Sequence, residues 1–166
     1  GISKGTLCLY FANKEDLFKA VVREGLVSPI AEMRGLVGQF EGDSFELLRM
    51  LILGWWEKVG ATALSGIPKL VLGEAGNFPE LVRFYLAEVV EPGLAVMTAI
   101  VERGMARGEF RPVHAGDVAL LVGAPLLQMM LWRCALEPQS ARKMEPARYL
   151  EAHLDMLRHG LGAKGR

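Results

Sequence analysis

Residues 1–18 read GISKGTLCLYFANKEDLF, and they are the most informative stretch of the chain. Ser3 is placed to cap a short helix that we predict over residues 3–11. Small and polar residues near the start of this helix would let it approach a nucleic-acid duplex closely. Its N-terminus and its side chains suit phosphates and base edges. Asn13 with Asp16 three residues later has the spacing of a capping box, which predicts the start of the next helix.

These eighteen residues closely resemble the signature of TetR-type (TetR/AcrR) transcriptional regulators. In that family the stretch forms the end of the turn, the recognition helix and the start of the next helix. A looser resemblance extends over the rest of the chain, notably RGEFRP at residues 107–112. The resemblance implies an all-α, TetR-like fold. Residues 1–26 would be the remnant of a helix-turn-helix domain, and residues 27–166 a helical ligand-binding and dimerisation domain.

The resemblance also implies operator DNA as a partner. Cys8 stands where the family usually has an aromatic residue that touches the DNA backbone. The family has two further helices before this point, so we expect DNA binding to need upstream helices that this sequence lacks. Ser3 would serve equally well as a simple N-cap. The residues expected to contact DNA in the complete protein are Ser3, Lys4, Gly5, Thr6, Leu9, Tyr10 and Lys14.

The composition of the chain argues against several other classes of protein. The chain has 166 residues, 51% of them hydrophobic, with a net charge of zero, which suits one well-packed domain rather than a disordered chain. Two cysteines exclude a disulfide scaffold and favour a reducing, cytoplasmic location. The longest apolar run, from Val118 to Trp132, is 15 residues, whereas a membrane-spanning helix needs about 20. We therefore expect no membrane partner.

Signals for an enzyme are missing from the sequence. His153 and His159 are six residues apart, so they do not share a helix face, and neither cysteine has a nearby histidine at ligand spacing. No nucleophile elbow, phosphate-binding loop or zinc motif occurs. The sequence predicts a protein without enzymatic activity, without a cofactor and without a metal site.

Helical periodicity continues along the whole chain. Pro29 is expected to bend or end the first long helix, and Asp43 with Glu46 predicts the start of another. We predict a short helix over residues 68–75 and a long helix that starts at Asn77 and ends before Gly108, with a kink at Pro92. Further helices are predicted over residues 115–136 and 146–159, followed by a frayed tail at 162–166.

A small-molecule pocket in the helical domain is implied by the family resemblance. Aromatic and methionine side chains, which line adaptable apolar pockets, are frequent there, although most such residues simply form cores. We expect a small hydrophobic effector in a cavity between three helices. The candidate lining residues are Trp55, Trp56, Phe84, Tyr85, Glu88, Met97, Gln128, Met129 and Trp132.

The helices at residues 115–136 and 146–159 are the expected homodimer interface. The first is apolar nearly all round, which an outer helix of a monomer could not sustain. The expected interface residues are Leu120, Leu127, Leu131, Leu150, Leu154 and Leu157. Together these features predict a ligand-responsive DNA-binding regulator, most simply a repressor released by its effector. The alternative is an all-helical small-molecule-binding or scaffold protein with no DNA role.

Overall fold

The computed structural model describes residues 14–163, and these residues form six helices. We label them α1 (14–37), α2 (Ser44–Trp55, extended by a π-helical turn at Trp56–Gly60), α3 (Ile67–Glu74), α4 (Pro79–Ala106), α5 (Ala115–Gln139) and α6 (Pro146–Leu161). Within the described residues the only β-type pairing is an isolated bridge between Phe110 and Gly162. The predicted all-α fold is confirmed.

The antiparallel pair α4 and α5 forms the centre of the domain, and the other helices pack around it. Its buried side chains include Ile100 of α4 and Met129 of α5, both completely inaccessible to solvent. Leu47 and Ile52 of α2 are equally buried. Helix α6 is attached to α5 by His153, whose Nε2 lies 3.0 Å from the carbonyl oxygen of Val122. The core therefore unites residues from both ends of the described chain.

Pro29, Pro92 and Pro125 lie inside long helices without ending them, and the first two follow a π-helical turn. A π-helical turn at Arg23–Val27 precedes Pro29, and another at Leu86–Val90 precedes Pro92. A proline has no N–H to donate, and a wider turn at that point lets the helix continue past it. The possibility that Pro29 ends its helix is therefore wrong, because the helix runs on to Val37.

Helix ends follow local capping rules at most of the predicted positions. The Asp43 side chain accepts a hydrogen bond of 2.8 Å from the Glu46 N–H, as predicted for the start of α2. Gly108, at φ +67°, follows the end of α4, also as predicted. The expected N-cap at Asn77 is wrong. Phe78 occupies the N-cap position of α4, and the Asn77 side-chain amide instead donates to the Glu74 carboxylate.

The end of α6 is fixed to the loop that joins α4 to α5. The Arg111 N–H donates to the Leu161 carbonyl at 2.8 Å, and the Ala163 N–H donates to the Glu109 carbonyl at 3.2 Å. The expected fraying is therefore wrong for Gly162 and Ala163, while residues 164–166 lie outside the described part of the chain.

Helices α4 and α5 are long and apolar enough to cross a membrane, judged by length and composition alone. The expectation based on the apolar run from Val118 to Trp132 overlooked this, because both helices reach that mean hydropathy over longer stretches with scattered polar residues. In the fold they are the central pair, and core helices of water-soluble proteins have the same composition. Only about a quarter of each apolar window is buried, 22% and 28%, so much apolar surface remains open on this pair.

Candidate ligand pocket

A pocket of about 310 Å³ lies between α1, α2, α4 and α5, with Pro68 of α3 at its edge. Its volume is at the small end of the range for small-molecule sites, roughly 300–1,000 Å³. Aliphatic and methionine side chains make up most of its wall. The lining residues are Ile30, Met33, Trp55, Pro68, Tyr85, Val89, Val90, Gly93, Leu94, Val96, Met97, Ala119, Leu120, Gly123, Ala124, Leu126, Leu127 and Met130.

Gly123 helps to create this space on the α5 side. A methyl group added at Gly123 would meet no atom within 4 Å, so the missing side chain leaves room in the pocket wall. Gly93 lines the pocket from α4, three residues after the π-helical turn at Leu86–Val90. The cavity thus depends on glycines and on an irregular stretch of helix in an otherwise large-residue core.

Tyr85 and Trp55 are the lining residues with polar side-chain atoms. Neither the Tyr85 hydroxyl nor the Trp55 indole N–H hydrogen-bonds to another residue in the described part of the chain. Burial raises the pKa of Tyr85 to about 12, so its phenol is neutral and protonated at physiological pH. The pocket therefore offers hydrogen-bond donors but no ionised group.

Among the predicted pocket residues, the structure brings Trp55, Tyr85 and Met97 together in the wall of this pocket. Met129 and Trp56 lie in the core instead, 0% and 8% exposed. Gln128 is on the exposed side of α5, and Trp132 is half-buried in the π-helical turn at the end of that helix. The predicted residues were chosen by composition, which does not distinguish core positions from cavity positions.

Phe84 and Glu88 face α1 and not the pocket. The Glu88 carboxylate accepts two hydrogen bonds from the Arg23 guanidinium, at 2.8 and 3.0 Å. The cations of Lys19 and Arg23 lie 5.6 and 5.2 Å from the centre of the Phe84 ring. The hydrogen bond from Arg23 lowers the pKa of Glu88. The same hydrogen bond, together with the charge of Glu88, raises the pKa of Arg23. These side chains connect the π-helical turns of α1 and α4.

The outer side of α5 is an exposed apolar face. Leu120, Leu121 and Leu127 are 55%, 65% and 42% exposed. Leu120 and Leu127 belong to the predicted dimer interface and also border the pocket. Of the other predicted interface residues, Leu131 and Leu157 are half-buried, whereas Leu150 and Leu154 are buried in the subunit's own core. The last two are therefore not available to a partner in this conformation.

Most of the predicted DNA contacts, from Ser3 to Tyr10, lie outside the described residues. Lys14 is exposed at the beginning of the described part of α1. It is on the same continuous helix as Arg23, two to three turns away. Helix α1 therefore joins the segment that resembles a recognition helix to the π-helical turn that contacts α4.

A second depression, of about 440 Å³, lies between α2 and α6. Charged residues of both helices border it, namely Arg49, Glu151, Asp155 and Arg158. The Arg158 guanidinium covers the Phe45 ring at 4.1 Å, so part of the apolar floor is already occupied. No group of three or more His, Cys, Asp or Glu arranged for a metal occurs among residues 14–163.

The geometry thus defines an all-helical domain with an apolar cavity beside its central helix pair. A family model described as "Tetracyclin repressor-like, C-terminal domain" matches residues 38–145, well over half of the chain. The chain belongs to this family and is a TetR-type regulator. Neither the curated proteins nor the solved structures give a match. Proteins of this family are regulators rather than enzymes.

Proposed function

We propose that the chain is the sensing and dimerisation part of a cytoplasmic, ligand-responsive transcriptional regulator. It acts as a homodimeric repressor, which a small hydrophobic effector releases from operator DNA. Family membership supports the regulatory role. The observation that carries the ligand response is the apolar pocket beside α4, because the same helix holds α1 through Glu88 and Arg23.

The path from pocket to DNA runs through the π-helical turn of α4. Val89 and Val90 line the pocket from this turn, and Glu88 in the same turn binds Arg23 of α1. A ligand that moves the turn also moves the attachment point of α1. An effector acts only if it binds one of two conformations more tightly. A difference of 1–3 kcal/mol would change operator affinity by roughly 5- to 150-fold.

The dimer is proposed on the exposed face of α5. A symmetric dimer pairs this face with its own copy and would bury Leu120, Leu121 and Leu127. Because Leu120 and Leu127 also border the pocket, a ligand there would contact the helix that sets the spacing of the two subunits. The distance between the two DNA-binding segments would then depend on occupancy.

Oligomeric state tests the dimer. We expect the chain to be a dimer by light scattering at micromolar concentration, and Leu127→Arg to make it a folded monomer. Leu72→Arg, at a 60% exposed position on α3, is the matched control and should remain dimeric. Leu154 is unsuitable for this test because it is 9% exposed and its replacement would damage the core. A monomeric unmodified chain would contradict the proposed interface.

DNA selection tests the regulatory proposal. The full-length protein should enrich one palindromic sequence from random DNA, and fluorescence anisotropy should show that it binds this sequence. Lys14→Ala should weaken binding to all DNA sequences alike and reduce the slope of log affinity against log salt concentration by about one. Thr6→Ala should alter the sequence preference more than Lys14→Ala does. Lys143→Ala, exposed on the connector before α6, is the control. No sequence-specific binding would favour the alternative, a helical small-molecule-binding protein without a DNA role.

A further inference from the structure

The wall of the pocket determines which ligands it can accept. None of its lining residues is Asp, Glu, Lys, Arg or His. An ion placed there would lose its hydration and gain no countercharge, which costs several kcal/mol in an apolar site. Glu88 of α4 and Arg23 of α1, which lie outside the wall, already neutralise each other.

The donors in the wall add a second requirement. An indole N–H only donates, and a phenol hydroxyl donates readily to a carbonyl or ether oxygen. Since neither Tyr85 nor Trp55 has a hydrogen-bond partner among the described residues, each can serve a ligand without breaking an existing bond. A purely hydrocarbon ligand would bury these donors unpaired.

We propose that the pocket selects an uncharged, mostly apolar molecule with at least one hydrogen-bond acceptor, which the Tyr85 hydroxyl binds. The volume of about 310 Å³ equals that of roughly ten water-sized groups at ~30 Å³ each, which suits an aliphatic compound of about ten carbon atoms. Tyr85 immediately precedes the π-helical turn at Leu86–Val90. A ligand bound to Tyr85 therefore acts next to the turn that carries Glu88, and the inference deepens the proposed effector response on which it rests.

Four probes of similar length distinguish the ligand classes: decan-2-one, decane, decanoate and decylamine. Binding to the full chain is followed by tryptophan fluorescence, since Trp55 lines the pocket, and by calorimetry. At pH 7 decan-2-one should bind best, decane about 3- to 10-fold more weakly, and the two ions at least about 100-fold more weakly. Preferred binding of decanoate or decylamine would overturn the proposal.

Variants locate the acceptor contact. Tyr85→Phe should abolish the preference for decan-2-one over decane and leave decane binding unchanged. Tyr149→Phe removes a hydroxyl outside the pocket and should keep the preference. Gly123→Leu should abolish binding of every probe, because its side chain enters the free space beside α5, and Gly35→Leu on the exposed side of α1 should not. If Tyr85→Phe keeps the preference, the assignment of the donor is wrong.

The operator assay separates this inference from the proposed function. Binding of decan-2-one without any effect on operator affinity would leave the ligand class standing and refute the effector role. Operator release by decanoate, with decan-2-one inactive, would support the regulator and refute the ligand class.

Discussion

The two halves of α4 differ in how firmly they are held. Of residues 79–90, only Val89 is buried, whereas the second half contributes Val96, Ile100, Val101 and Gly104 to the core. The first half contains the π-helical turn and contributes Tyr85, Val89 and Val90 to the pocket wall. The start of the second half completes that side of the wall with Gly93, Leu94, Val96 and Met97. The second half is regular, and its end is fixed to α2. One helix thus combines a weakly held sensing segment with a firm anchor, which is the division that a ligand-driven shift requires.

Polar contacts follow the same division. The Arg103 guanidinium donates to the Ser44 hydroxyl and to the carbonyl oxygens of Phe40 and Gly42, at 2.7–2.9 Å. The first half has the Arg23–Glu88 pair, with side chains 56% and 33% exposed. Partly buried hydrogen bonds to backbone restrict motion more than exposed ion pairs do. Motion induced by a ligand should therefore be confined to the first half and to α1.

The largest expected difference is in the cost of truncating a side chain. Ile100→Ala, at a completely buried position, should lower the free energy of unfolding by about 2–5 kcal/mol. Leu86→Ala, at a 44% exposed position in the π-helical turn, should lower it by about 0.5 kcal/mol. Urea denaturation of both variants at one protein concentration measures the two values. Equal losses would mean that both halves are held alike.

Arg103→Ala should have the next largest effect. It removes three hydrogen bonds and leaves two carbonyl oxygens of the α1–α2 loop with weaker partners, so we expect a loss of about 2–3 kcal/mol. The matched variant is Arg83→Ala in the first half, where a 69% exposed guanidinium pairs with Glu80, and its effect should stay below about 0.5 kcal/mol. Thermal denaturation that ranked the two variants in the opposite order would contradict the proposed anchor.

The loss of stability at low pH should come from Glu109, which follows the end of α4 that is anchored to α2. Burial raises the pKa of Glu109, but hydrogen bonds from Ser44 and Arg107 outweigh it and lower the pKa to about 2. The unfolded carboxyl titrates near 4.5. The charged form therefore stabilises the fold fully above about pH 4.5, and this contribution of about 1–3 kcal/mol is lost as the pH falls toward 2.

Glu109→Gln removes this titration. Its unfolding free energy should be lower than that of the unmodified chain at pH 7, and the two curves should converge near pH 2. Glu151→Gln, an exposed carboxylate of α6, should leave the pH profile unchanged. Parallel curves for Glu109→Gln and the unmodified chain between pH 5 and 2 would show that Glu109 does not have the lowered pKa.

The sequence predicted features that depend on neighbouring residues. Asp43 and Gly108 act within one turn of their own helix ends, so their roles follow from local rules. Features that depend on distant residues were missed. Glu88 was assigned to the pocket as a polar residue among apolar neighbours, because its partner Arg23, 65 residues away, could not be recognised from the sequence. Pro29 was expected to bend or end its helix, because a π-helical turn, which lets the helix continue, leaves no clear residue pattern.

The pocket itself was predicted only in outline, for the same reason. Trp55, Tyr85 and Met97 were expected there as aromatic or methionine residues in apolar helices. Gly93 and Gly123 were not, because a glycine shows in sequence only that a side chain is missing and does not show which space it leaves. The position of that space depends on how α4 and α5 pack.

Glu88→Gln should have the smallest effect on stability. It is also the sharpest test of the difference between the two halves of α4. Because the Arg23–Glu88 pair is largely exposed, the urea midpoint should not change. The local effect should be clear. Loss of the charge loosens the contact between two π-helical turns, so amide hydrogen exchange should accelerate in residues 23–27 and 86–90 and remain unchanged in residues 96–104. Glu80→Gln, whose partner Arg83 lies on the same helix, should leave all three segments unchanged. Faster exchange in residues 96–104 as well would mean that α4 opens as one unit, and a ligand at Tyr85 could then not move the first half of the helix alone.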